Sequence, residues 1–286
     1  MGGQITTKQL EQKAQTIRED IITMLEAAGS GHSAGPLGLA DIFAALYFDI
    51  LKHDPAQPDW DERDIILLSN GHCCPVQYAA MAESGYFDKK ELPTLRKLGS
   101  RLQGHPEREK LPGLETTSGP LGSGLSQAAG MAYALEKLDN VKNRWVYVVM
   151  SDGELDEGNS WEGAMFAGKY KLHNLIGIVD RNNIQIDGYT EDIMPLEDLK
   201  GKWEAFGWHV QETDGNNIES VIDACAMARS ITNRPSVIIA HTIPGKGVDF
   251  MEYDYHWHGY GKSPEDYVRA LKKLRSLNGK ITGEHE

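Results

Sequence analysis

Asp152 and Asn182 stand thirty residues apart, with the types and spacing to share one hard cation. Asp152-Gly153 follows an apolar run at residues 144–150 (RWVYVVM), and Asn182 follows the next run at 174–180 (NLIGIVD). Thirty residues is the length of one strand–helix–strand unit. If its two strands are parallel neighbours ~4.8 Å apart, both residues reach the same sheet edge. Magnesium takes oxygen ligands at ~2.0–2.1 Å, so loops from both strands can reach one ion. Asp152 offers a carboxylate, Asn182 an amide oxygen, and Ile184 a main-chain carbonyl. A site with a single carboxylate leaves positive charge on the metal, which suits a diphosphate. Gly153 lets backbone approach a phosphate closely and offers it N–H groups. Calcium could substitute with looser geometry. An acidic loop capping a helix is the plainer alternative, and Asp-Gly alone would not displace it.

Four of the ten histidines sit beside glycine: His32, His72 and His105 follow one, and His258 precedes one. Glycine permits tight turns there, and imidazole can bind phosphate or sugar oxygens or move a proton near neutral pH. Taken singly each would be a capping or surface residue; four on loops beside strand ends point to a pocket. His53, His173, His209, His241 and His285 read as structural or solvated. No HxxxH pair suggests zinc. Residues 119–124 (GPLGSG) open a helix with free N–H groups, but their glycines do not form GxGxxG and no strand precedes them. They form either a simple loop or backbone flanking a flat ring.

The elements needed to hold these groups are legible as well. Residues 6–28 form an amphipathic helix with a Thr6/Gln9 capping box, stopped by Gly29 and Gly31. A buried helix is expected at 36–51. Strands are expected at 64–69, 144–150, 174–180 and 235–241, with a weaker one at 208–212. Helices fall between, at 125–138, 159–170, 196–206 and 218–231. Apolar strands alternating with helices imply an α/β fold, a mostly parallel central sheet with helices on both faces. The stretch 89–123, rich in Gly, Pro and charge, is expected to serve a ligand, and the tail after Gly279 to be mobile. The 286 residues carry a formal charge of -13, which disfavours nucleic acid. No run is apolar enough to span a membrane. With no signal pattern at the start, the expected location is the cytoplasm. Cys73, Cys74 and Cys225 read as reduced packing residues.

Several longer motifs add to these: LSNGH (68–72), GHPE (104–107), TTSGPLGSG (116–124), SDGELDEG (151–158) and DRNNIQIDG (180–188). Through them the chain resembles the N-terminal part of transketolase over nearly its whole length. Asp-Gly followed by Asn also resembles the general thiamine diphosphate motif. Two positions differ from the family pattern: Ser33-Ala34 follows His32 where the family has Pro-Gly, and Ser151 stands where it has Gly.

The resemblance implies a single diphosphate-binding domain over 1–286, with an N-terminal helical segment and a C-terminal extension. It implies thiamine diphosphate and Mg2+, with Ca2+ or Mn2+ as substitutes. Asp152, Asn182 and the Ile184 carbonyl would hold the metal. His72, Gly119, Leu121, Gly153, Glu154, Asn182 and His258 would contact the cofactor. His32, His72, His105 and His258 would act at the reacting sugar, and Glu157 would lie at the subunit interface. The activity implied is transfer of a two-carbon ketol unit between sugar phosphates, of the pentose phosphate kind. The family's pyrimidine-binding domain has no counterpart here. A separately encoded C-terminal subunit is therefore expected, in a dimer of heterodimers. The alternatives are an α-type subunit of a 2-oxo acid dehydrogenase, a non-catalytic cofactor-binding subunit, and a magnesium-dependent phosphohydrolase using Asp152.

Overall fold

The computed structural model describes residues 5–259 and 263–276. The tail after Gly279 and His285 lie outside the described residues.

Helix α1 (Thr7–Ala28) starts where Thr6 and Gln9 close a reciprocal capping box and ends at Gly29, whose φ of 65° suits a residue without Cβ. Its apolar stripe, Leu10, Ile17, Ile21, Met24 and Leu25, is buried throughout. The helix expected at 36–51 is broken into α2 (Ala34–Gly38), α3 (Ala40–Ala45) and a π-helical turn (Leu46–Ile50). The break has a packing cause. A Cβ on Gly38 would stand 2.9 Å from the Ile243 carbonyl oxygen, so the helix bends where another backbone crosses it. Strand β1 (Ile65–Leu68) leads to α4 (Cys74–Ser84). Helix α4 was not foreseen. Residues 74–82 are all buried, so they show no polar face and no amphipathic period.

The stretch 89–123 opens with a 3₁₀ turn (Lys89–Thr94) and continues irregularly, held by buried Leu92, Leu95, Leu102, Leu111 and Leu114. Then follow α5 (Ser123–Tyr133), β2 (Val146–Ser151), α6 (Gly158–Tyr170) and β3 (Leu175–Arg181). A small hairpin, β4 (Ile184–Gln185) and β5 (Gly188–Tyr189), leads into α7 (Thr190–Ile193) and α8 (Leu199–Ala205). The chain closes with β6 (His209–Asp214), α9 (Ile218–Ser230), β7 (Ser236–His241) and α10 (Pro264–Ser276).

Five strands form one sheet in the order β1-β2-β3-β7-β6, every pair parallel. Alternate residues feed two cores. Ile66, Leu68, Tyr147, Val149, Ile176 and Ile178 pack with α1–α4, α9 and α10. Ile65, Leu67, Val146, Val148, Met150 and Val179 pack with α5, α6 and α8. Both faces are covered, which is why these strands read as continuous apolar runs. All five strands point their carboxyl ends to one edge, where ligands gather in such sheets. Among the described residues no helix is long and apolar enough to cross a membrane. The three cysteines are buried and unbridged.

Candidate cofactor and metal site

β2 and β3 are parallel neighbours, with Ser151 registered against Asp180. Asp152 and Asn182 therefore leave the same edge side by side. The Asp152 carboxylate is fully buried. Its Oδ2 accepts the Asn183 N–H at 2.7 Å, an Arg181 guanidinium N–H at 3.2 Å and the Thr190 hydroxyl at 3.4 Å. Its Oδ1 accepts the Gly153 N–H at 2.7 Å. Asn182 donates its amide to Asp180 at 2.8 Å and accepts the Ile184 N–H at 3.0 Å through Oδ1. The Asp180 bond fixes which end of the Asn182 amide is oxygen, and Thr242 holds Asp180 from behind.

This edge is rich in buried acid. Burial pushes Asp152 up to about 6, against the pull of Arg181 and the Asn183 and Gly153 N–H groups. Burial also pushes Asp180 up to about 7, with the Asp152 charge adding to it. Arg181 is the buried cation beside them. Among the described residues no three His, Cys, Asp or Glu side chains converge to hold a metal alone. With Asp180 engaged by Thr242 and Asn182, what the edge offers is the Asp152 carboxylate, the Asn182 amide oxygen and main chain. That donor chemistry, together with ionised groups short of positive charge, fits a hard divalent cation better than zinc.

Glu154 is buried and knots three segments together. Its carboxylate accepts the Ser69 hydroxyl, the Gly122 N–H at 2.7 Å and the Ser151 N–H at 3.2 Å. The Ser69 hydroxyl in turn accepts the Gly124 N–H at 3.0 Å. The end of β1, the end of β2 and the turn opening α5 are thereby locked in one arrangement. Both carboxylate oxygens are engaged inside the protein, so the Glu154 side chain shapes the site and does not point free into it. A Cβ on Gly124 would collide with Ser69, and one on Gly71 with Ser118. Gly119, at φ 154°, has open space where its Cβ would be, and Leu121, two residues on, is exposed. Glu157 is exposed just beyond.

Three of the four glycine-flanked histidines form a triangle. Ring centroids of His32 and His72 are 4.8 Å apart, His72 and His258 5.1 Å, and His32 and His258 5.5 Å. His32 also forms a β-bridge with Gly259, and a Cβ on Gly259 would fall 2.7 Å from its ring. Burial lowers His32 to about 3 and His258 to about 4, and holds His72 well below the usual imidazole range. His105 is exposed at the rim, less strongly lowered, and its charge and that of Arg96 bear on His32. All are neutral near pH 7 and can donate and accept. Of the other histidines, His53 bonds Tyr86 and the Tyr47 carbonyl, and His241 meets Glu212 on the surface.

Residues without a readable signal of their own complete the picture. Asn70, fully buried just before Gly71-His72, has neither side-chain polar atom satisfied, and the Ser118 hydroxyl and His32 Nδ1 are likewise unpartnered. Unpaired buried polar atoms carry a large penalty, so their grouping beside the imidazole triangle marks where a polar ligand fits. The only hint in the sequence is their place within LSNGH and TTSGPLGSG.

Fold and site together define a parallel α/β protein that gathers buried carboxylates and an amide at the carboxyl ends of its strands. The family described as "Transketolase, thiamine diphosphate binding domain" matches residues 9–280, and the chain belongs to it. It is 42% identical over 265 residues to the 6-deoxy-6-sulfo-D-fructose transketolase subunit SqwG of Clostridium sp. (strain MSTE9), covering 93% of this chain and 96% of that protein. It is 40% identical over 268 residues to an apulose-4-phosphate transketolase subunit of Actinobacillus succinogenes, with the same coverage. The structure of transketolase from Leishmania mexicana superimposes with a TM-score of 0.88 at 35% identity, over 93% of this chain. The chain spans 41% of that longer protein.

Proposed function

We propose that this chain is the diphosphate-binding subunit of a two-subunit transketolase. It acts as one unit over its whole length, holds thiamine diphosphate through Mg2+, and works in the cytoplasm. A separate subunit carrying the pyrimidine-binding domain completes it, as a dimer of heterodimers. The observation that carries this reading is the shared sheet edge: Asp152 and Asn182 leave neighbouring β2 and β3, and His72 follows β1, the strand next to β2. The names of relatives matched over almost their full length, both transketolase subunits, support the two-chain arrangement.

In this reading Asp152, Asn182 and the Ile184 carbonyl hold the cation, with Ca2+ or Mn2+ as substitutes. Gly153, His72 and His258 contact the diphosphate, and Gly119, Leu121 and the Glu154 main chain border the cofactor. Thiamine diphosphate supplies an acidic ring carbon that stores negative charge while a carbon–carbon bond breaks or forms. Uncharged His32, His72, His105 and His258 hydrogen-bond the hydroxyl and carbonyl oxygens of a ketose and pass a proton where one is released. The two relatives' names specify a sulfonated ketose and a phosphorylated one, so the substrates here are ketoses and aldoses with an anionic end, sugar phosphates foremost. Glu157, exposed beside Gly122, meets the partner.

The test is reconstitution. The chain is mixed with a transketolase pyrimidine-domain chain, Mg2+ and thiamine diphosphate, and two-carbon transfer from a ketose phosphate to an aldose phosphate is followed. Transfer is expected only from the mixture. Full transfer by this chain alone would overturn the two-subunit reading. Decarboxylation of a 2-oxo acid in place of ketol transfer would overturn the substrate class.

A further inference from the structure

Arg181 is almost fully buried at the end of β3, and the histidine and cofactor roles make no use of it. One guanidinium nitrogen donates to Asp152 Oδ2 at 3.2 Å. The other donates to Glu191 at 2.6 Å and to Glu197 at 2.8 Å. These two glutamates fold their own segment around the arginine: Glu191 also accepts the Leu196 N–H and Glu197 the Leu199 N–H. Thr190 joins the same cluster, bonding Asp152 through its hydroxyl and Asn183 through its N–H.

The two oxygens of Asp152 are therefore unequal. Oδ2 already receives three donors from the end of β3 and the segment after it, while Oδ1 receives the Gly153 N–H. Only Oδ1 has a lone pair to spare for a cation. A carboxylate restrained in this way gives one oxygen and not two. Magnesium keeps a strict octahedron and suits a one-oxygen carboxylate, whereas calcium accepts two-oxygen carboxylates and irregular shells.

We propose that Arg181 is a positioning residue: it commits Asp152 to one-oxygen ligation, so favouring Mg2+ over Ca2+, and ties the order of the Glu191–Glu197 segment to that geometry. This rests on Asp152 being a metal ligand. The planar fork of arginine is needed because it engages three carboxylates at once; lysine keeps the charge but presents a single point of contact.

Apparent Kd values for Mg2+ and Ca2+ are measured by thermal shift at fixed thiamine diphosphate for wild type, Arg181→Lys and Arg181→Met. Chymotrypsin cleavage in 190–199, which holds Leu196 and Leu199, is followed in parallel. Circular dichroism checks folding, and a Glu191→Gln/Glu197→Gln double variant serves as a second probe should Arg181→Met misfold. In Arg181→Lys, Mg2+ affinity is expected to fall on the order of tenfold, the scale of outer-sphere losses, with Ca2+ affinity changed less than threefold. Cleavage within 190–199 is expected to speed up in both Arg181 variants. Equal weakening of both cations, or wild-type Mg2+ affinity in Arg181→Lys, would overturn the positioning role while leaving the metal site intact. Absence of any cation effect in the wild type would overturn the metal site itself, and this inference with it.

Discussion

The Glu154 carboxylate accepts the Gly122 N–H at 2.7 Å, and that bond joins the end of β2 to the turn that opens α5. Its other partners, the Ser69 hydroxyl and the Ser151 N–H, are also donors. An amide in the same place must turn its NH2 toward at least one donor. Glu154→Gln is therefore expected to lower stability by ~2–3 kcal/mol, the penalty for a buried unsatisfied polar pair. The urea midpoint should fall with little change in slope. An unchanged midpoint would mean the three segments are held by packing alone.

Two glycines on α5 give opposite expectations from one substitution. A Cβ on Gly124 would lie 2.8 Å from the Ser69 Cα, which is backbone and cannot swing away. A Cβ on Gly130 meets nothing within 4 Å. Gly124→Ala should lose ~1–3 kcal/mol through overpacking and shift the turn beside the pocket. Gly130→Ala should gain up to ~1 kcal/mol, because alanine restricts the unfolded chain and favours helix. Melting temperatures of the pair decide the point. Equal shifts in one direction would contradict the geometry.

The imidazole triangle makes stability fall in acid. Burial holds His32 at about 3, below the ~6.5 of an unfolded histidine. Below pH ~6.5 the unfolded chain therefore binds a proton that the folded chain refuses. Stability from this residue is full above that pH and is lost progressively as pH falls toward 3. Between pH 7.5 and 5.0 the loss reaches ~2 kcal/mol at most. His32→Asn removes the titrating group while keeping a polar side chain. Its stability relative to wild type should therefore improve by up to that amount on going from pH 7.5 to 5.0. Parallel wild-type and variant profiles would show that His32 is solvated when protonated.

Much of the frame is legible in the sequence because the sheet is buried on both faces. Residues 174–180 and 235–241 could hardly be anything but inner strands, and the spacing around the first of them is enough to put Asp152 and Asn182 at one edge. Helix α4 escaped because a helix buried all round has no period to read. Helix α10 was likewise not among the expected helices, although its start is marked by the Ser263–Asp266 reciprocal cap, in which each residue's N–H bonds the other's side chain at 3.3 Å. The clustering of three histidines from distant loops was suggested by their glycine neighbours, but no spacing along the chain encodes ring separations near 5 Å. Arg181 was invisible as a site residue because its partners Glu191 and Glu197 become neighbours only once the β4–β5 hairpin folds back.

The strongest prediction concerns Asp152 itself. Asp152→Asn preserves shape and one acceptor oxygen but removes the negative charge that a cation needs. In the ligand-free protein two effects oppose each other: a buried charge is relieved, and Arg181 loses a partner at 3.2 Å. The ligand-free midpoint is therefore a poor guide, and the informative quantity is the shift on adding ligand. Wild type with Mg2+ and thiamine diphosphate at about 100 times their dissociation constants should gain ~2.7 kcal/mol, and EDTA should abolish the gain. Asp152→Asn should show no Mg2+-dependent gain under the same conditions. Retention of that gain in the variant would move the cation elsewhere on the chain and remove the basis for the proposed cofactor site.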